Sequence, residues 1–195
     1  GPTHNASVLL SGDNGPGNDE GYDDGTDGRS APADGGHDGS GIYRGGKYQI
    51  YEGGTRVPFI IRWPAKIKPG TSEALVNQVD FVASFAELLG IELPEDEAVD
   101  SRNTLAALLG EDPKGLPFMI EEAGRVKKAL RRAEWKYITN ISKGKKKKEG
   151  PAKAELYNLK TDPGEENNVI ADHPEKAESM DSPLKKLIEG GRVRS

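Results

Sequence analysis

The stretch SVLLSGDNGPG, residues 7–17, runs an apolar segment into a turn built from one carboxylate, one amide and three glycines. Residues 6–10 read as a short strand of the kind that fills the centre of a parallel sheet. Asp13 and Asn14 stand where that strand runs out, and in open α/β sheets ligands bind outside the carboxyl ends of strands. A carboxylate beside an amide offers two hard oxygen donors, suited to Ca²⁺ or Mg²⁺. Gly12 and Gly15 let the backbone bend so that both side chains point one way. Asp-Asn-Gly is also a common turn sequence, so a surface turn and a cation site both stand at this point.

Downstream, residues 11–46 are dominated by Gly, Asp and Asn and read as one long loop. Its DDGTDG and DGGHDGSG segments lack the fixed ligand spacing and closing Glu of an EF-hand. His37 lies in this loop, within reach of a ligand or simply exposed. Lys47 is flanked by YRGG and YQIYEGG, and a lysine held among glycines brings a compact positive charge close to an anion. A solvated loop lysine is the competing reading.

Residues 57–63 form a second apolar strand ending at Pro64. VNQVDFVASFAELLG then carries Val79, Val82, Phe85, Ala86 and Leu89 at helical spacing, with Asp80 at the N-cap and Gly90 as the stop. Strand, loop, strand, helix is an α/β pattern. After Pro94 come a short helix at 104–110, strands in LPFMIEE, KALRRAEWKYITNI and AELYNL, with a hairpin at 132–134, and the turn cluster TDPGEENNV. HPEKAESMDSPLKKLIEGG reads as a helix interrupted at Pro183. The expected division is residues 1–94, an α/β part, and 95–195, a small antiparallel sheet with a closing helix.

The 195 residues carry a net charge of −5 and are 34% hydrophobic, which argues against a general nucleic-acid binder and implies abundant loop. There is no cysteine, so disulfides, thiolate metal sites and a cysteine nucleophile are excluded within this chain. No stretch approaches the ~18 apolar residues of a membrane helix. No apolar signal-peptide core opens the sequence. Gly1-Pro2 reads as a cloning remnant, and a chain that begins almost at once with a buried-looking strand reads as a fragment. KGKKKKEG, residues 143–150, reads as a solvated hairpin tip that also suits a polyanion. The Asn5 and Asn140 glycosylation triplets carry little weight.

Taken together, SGDNGP, YRGGKYQIYEGGTRVPFIIRWPAKIKPG, VNQVDFVASFAELLG, KALRRAEWKYI and ELYNLKTDPGEENNV resemble the C-terminal half of a type I sulfatase, of the arylsulfatase and carbohydrate-sulfatase kind. The resemblance implies an alkaline-phosphatase-like fold, with a large α/β domain followed by a small antiparallel sheet and helix. It implies that Asp13 and Asn14 are late ligands of a Ca²⁺ ion and that Lys47 binds sulfate. His37 is a weaker substrate-binding candidate outside the matching motifs. The family's nucleophile is a formylglycine made from Cys or Ser in C/S-x-P-x-R, whose hydrate attacks sulfur. Ser30-Ala31-Pro32-Ala33-Asp34 only imitates that motif, because Asp34 stands where arginine is required.

The implied substrate is a sulfate ester, on a sulfated carbohydrate or an aryl group. The implied partner is the preceding half of the domain, and an exported location is implied by resemblance alone. Alone, this chain is expected neither to turn over sulfate esters nor to hold Ca²⁺ tightly, since two protein ligands are too few. A phosphoester hydrolase of the same superfamily and a non-catalytic module binding sulfated glycans are the alternatives.

Overall fold

A computed structural model describes residues 4–17, 38–124, 127–140 and 154–194. His37, the Ser30–Asp34 imitation motif and the basic run at 143–150 lie outside them. The first unit is a ribbon of β1 (Val8–Ser11) and β2 (Phe59–Arg62), paired antiparallel with Leu10 opposite Ile60. The neighbour of β1 among the described residues is thus antiparallel, which the apolar run alone did not indicate. A continuous apolar run signals two buried faces but carries no information on the direction of its neighbour. One ribbon face rests on the following helix through Phe59 and Phe81, whose ring centroids are 5.8 Å apart. Val8, Leu10 and Ile60 on the other face are more than half exposed.

A single helical turn, α1 (Glu52–Thr55), precedes β2. A 3₁₀ turn (Gln78–Asp80) leads into α2 (Phe81–Leu89), which stops at Gly90 in the left-handed conformation, as expected (φ 66°). Asp80 occupies the N-cap position but does not cap. Its Oδ1 instead accepts the Arg102 amide at 2.7 Å, while Asn77 caps the 3₁₀ turn by accepting from Val79 N. The buried face of α2 is Ala83, Ser84 and Ala86, and Val79, Val82 and Leu89 are exposed. Helical spacing thus marks an apolar face without stating what covers it. Ser84 and Thr104 share a hydroxyl–hydroxyl bond at 3.0 Å that joins α2 to the start of α3 (Leu105–Leu108).

The second unit is a four-stranded antiparallel sheet, β3 (Met119–Ala123), β4 (Lys127–Arg132), β5 (Trp135–Asn140) and β6 (Glu155–Asn158), in sequential order. The β4–β5 turn falls at the expected place, with Ala133 at φ 50°. Strand alternation splits the core in two. Leu130, Tyr137 and Leu156 meet Ala177, Met180 and Leu184 of α4 (Pro174–Gly190) on one face. Ala129, Ile138 and Tyr157 meet Ile50 and Tyr51 on the other. Helix α4 continues through Pro183 rather than breaking there. Met180 and Leu184, both fully buried, anchor it on either side of the missing hydrogen bond. Among the described residues no helix is long and apolar enough to cross a membrane.

Candidate functional site

Three glycine-containing segments stack where β1 ends. Gly15 N donates to Gly54 O at 2.9 Å, Gly53 N to Arg44 O at 2.8 Å, and Lys47 N to Pro16 O at 2.9 Å. The approach is too close for any side chain. A Cβ on Gly15 would lie 1.7 Å from Gly53 O, and one on Gly53 would lie 2.3 Å from Gly45 O. The stack accounts for the glycines of DNG at 13–15, RGG at 44–46 and EGG at 52–54.

The stack brings the backbone of the Asp13–Asn14 turn against that of Lys47, two segments that the sequence separates by more than thirty residues. Asp13 is exposed just past β1, its Oδ1 accepting Asn14 N at 3.0 Å, and Asn14 is half-buried. Lys47 is half-buried, with its ammonium 5.5 Å from the Tyr48 ring centroid. Tyr48 itself holds a left-handed φ of 70°, a costly conformation for an aromatic residue, and is almost wholly exposed. Asp13 also borders a cleft of about 270 Å³ shared with Ser11, Glu52, Arg56, Gln78 and Arg131.

Gln78 was not visible as a site residue in the sequence. Its Nε2 donates to Ser11 Oγ at 2.7 Å and to Gly12 O, tying the end of β1 to the start of α2 and so fixing the approach to Asp13. As hard oxygen donors, Asp13 and Asn14 fit a calcium ion. Among the described residues, however, no group of three or more His, Asp or Glu side chains gathers to complete a metal site.

Beneath the stack lies a charge cluster that sequence reasoning missed entirely. Lys136 is 0% exposed. Its ammonium lies 2.7 Å from Glu121 Oε2, 3.1 Å from Glu52 Oε1 and 3.6 Å from Glu165 Oε1. Arg131 Nη1 donates to the other Glu52 oxygen at 2.6 Å. Glu165 Oε2 accepts Glu52 N at 2.6 Å, while its Oε1 is buried without a hydrogen-bond partner among the described residues.

Burial by itself would lower the Lys136 ammonium, but the carboxylates of Glu121, Glu52 and Glu165 outweigh it and hold the group above the ordinary lysine value. Burial likewise pushes Glu52 up, and Lys136 and Arg131 more than reverse this. Glu165 keeps the burial effect and is raised to about 7. The only hint of the cluster in the sequence was Lys136 in strand register with Ile138, a core-facing position.

A family model described as Sulfatase matches residues 1–91. The chain is 41% identical over 203 aligned residues to an N-acetylgalactosamine-6-O-sulfatase of Bacteroides thetaiotaomicron, covering 98% of this chain and 37% of that protein. It is 47% identical over 76 residues to a rat (Rattus norvegicus) steryl-sulfatase, covering 38% of this chain and 13% of that one.

Among solved structures, one from work on glycosaminoglycan metabolism by B. thetaiotaomicron superposes with a TM-score of 0.81 at 39% identity, covering 95% of this chain and 39% of that one. Another, in complex with its substrate D-glucosamine-2-N,6-O-disulfate, superposes with a TM-score of 0.58 at 25% identity, covering 72% of this chain and 30% of that one. The chain thus covers between 13% and 39% of the length of these relatives. With its alkaline-phosphatase-like fold, its match to the Sulfatase model over residues 1–91 and its identity to a sulfatase over nearly its whole length, the chain belongs to the sulfatase family.

Proposed function

We propose that this chain supplies the late half of a sulfatase active site that hydrolyses sulfate esters of carbohydrates, with the 6-O-sulfated hexosamine class as the leading substrate. The observation that carries the reading is the glycine stack, which presses the Asp13–Asn14 turn against the Lys47 segment in a chain similar to a sulfatase named for N-acetylgalactosamine 6-O-sulfate. In this reading Lys47 neutralises a sulfate oxygen, and the charge it meets grows as the S–O bond breaks. Asp13 and Asn14 would be two of the ligands of a calcium ion, which when bound would offset further charge on the sulfate. The 195 residues contain no C/S-x-P-x-R sequence, so the formylglycine nucleophile is assigned to a preceding segment. The exposed apolar side of the β1–β2 ribbon supports a covering layer from the same source.

The test is hydrolysis of 6-O-sulfated N-acetylgalactosamine by a protein that joins this chain to a formylglycine-bearing sulfatase N-terminal portion. Lys47→Ala is expected to lower kcat/KM by about 10²–10³-fold. An unchanged value would overturn the role of Lys47. Turnover by this chain alone, or micromolar Ca²⁺ affinity in calorimetry, would overturn the division of the site.

A further inference from the structure

We infer that Lys136 is a positioning residue for the active-site turns: by gathering Glu52, Glu121 and Glu165 around one buried ammonium, it locks the glycine stack onto the C-terminal sheet. The inference rests on the assignment of Asp13, Asn14 and Lys47 proposed above, and concerns what holds them in place.

A buried lysine among three carboxylates is a poor way to gain stability, because well-packed apolar side chains of similar size serve a core at least as well. The cluster's contacts, however, converge on one short segment. Both carboxylate oxygens of Glu52 are held, Oε1 by Lys136 and Oε2 by Arg131, and its amide is held by Glu165. Three residues on, Thr55 Oγ1 lies 3.0 Å from Glu121 Oε2, the same oxygen that faces Lys136. Between them sit Gly53 and Gly54, the two glycines that receive the other segments. Gly53 donates to Arg44 O, and the Arg44 guanidinium returns to the sheet by donating to Glu165 O at 2.9 Å and Tyr157 Oη at 3.3 Å. Gly54 O accepts Gly15 N, and Pro16 O accepts Lys47 N. A short series of backbone hydrogen bonds therefore connects the carboxylates around Lys136 to the turns carrying Asp13 and Lys47.

The lock is tested in this chain by amide hydrogen exchange in three variants. Lys136→Met is expected to lower protection at Gly15, Lys47 and Gly53 by about tenfold or more, with Ala129 and Ile138 in the sheet nearly unchanged. Lys136→Arg, which keeps the charge, is expected to restore most of it. Should Lys136→Met fail to fold, the K136M/E121Q/E165Q variant leaves Glu52 paired with Arg131 and Arg56 and is expected to show the same selective loss. Unchanged protection in the stack, or parallel loss in stack and sheet in the triple variant, would overturn the inference. None of these readouts needs turnover. Failure of the sulfatase reading would appear instead as an unaltered kcat/KM for Lys47→Ala.

Discussion

Glu165 shows how one side chain couples the fold to pH. Burial is the largest influence on its carboxyl, and the neighbouring Glu52 and Glu121 add to it, against Lys136 and the Glu52 amide. Arg44 and Tyr157 approach the same turn, through the Glu165 carbonyl and each other. With its value raised to about 7 from an ordinary 4.5, the folded chain retains a proton that the unfolded chain has already lost. The folded state therefore binds more protons between about pH 4.5 and 7. The stability this supplies is complete below that window and is lost as pH rises through it. At roughly 1.4 kcal/mol per unit the loss amounts to about 3 kcal/mol. Glu165→Gln is expected to flatten the dependence in urea unfolding between pH 5 and 8 and to leave the variant the more stable at pH 8. Asp80, also raised by burial, acts in the same sense, so the difference between the two proteins is the measure. Equal slopes would remove Glu165 as the cause.

At the scale of elements, packing overrules local sequence at Pro183. Proline inside a helix costs about 3 kcal/mol, and the sequence accordingly reads as a break. Helix α4 continues because Ala177, Met180 and Leu184 place one face on the sheet across the proline, and Tyr137 Oη donates to Asp181 Oδ1 at 2.9 Å beside it. Pro183→Ala is therefore expected to stabilise the chain by about 1–3 kcal/mol. Leu184→Ala, which empties a fully buried site, is expected to cost about 2–5 kcal/mol, both measured by urea unfolding. A destabilising Pro183→Ala would show that the proline itself shapes the helix.

The same contrast explains what the sequence revealed. Strand and helix positions, the Gly90 stop and the 132–134 hairpin follow from periods and turn residues, which are local. The direction of β1 against β2, the side-chain role of Asp80 and the continuity of α4 depend on neighbours far along the chain. The Asp13–Asn14 and Lys47 segments stand out in the sequence by their glycines, but their assignment as a site comes from the family resemblance alone. The Lys136 cluster was not legible, because its five members lie on five separate segments and each looks like an ordinary surface charge.

For the molecule as a whole, the uneven covering of its apolar residues has a direct physical consequence. The C-terminal sheet is covered on both faces, by α4 on one side and by the residue 50–55 segment on the other. The β1–β2 ribbon is not. Val8, Leu10 and Ile60 are 55%, 57% and 60% exposed on its outer side, and Leu89 at the end of α2 is 70% exposed. A contiguous apolar strand face open to water favours association, and a ribbon with no third strand among the described residues adds backbone groups able to pair with another chain. This chain in isolation is expected to self-associate at micromolar concentration and to bind an apolar reporter dye. The double variant Leu10→Lys with Ile60→Lys alters one cross-strand pair on that outer side and leaves Leu9, Ile61 and Phe59 on the inner one. It is expected to shift the chain toward monomer in sedimentation velocity and to lower dye fluorescence, with the far-ultraviolet circular dichroism unchanged. A wild-type chain that stays monomeric and dye-silent at these concentrations would show that the outer face is covered in solution.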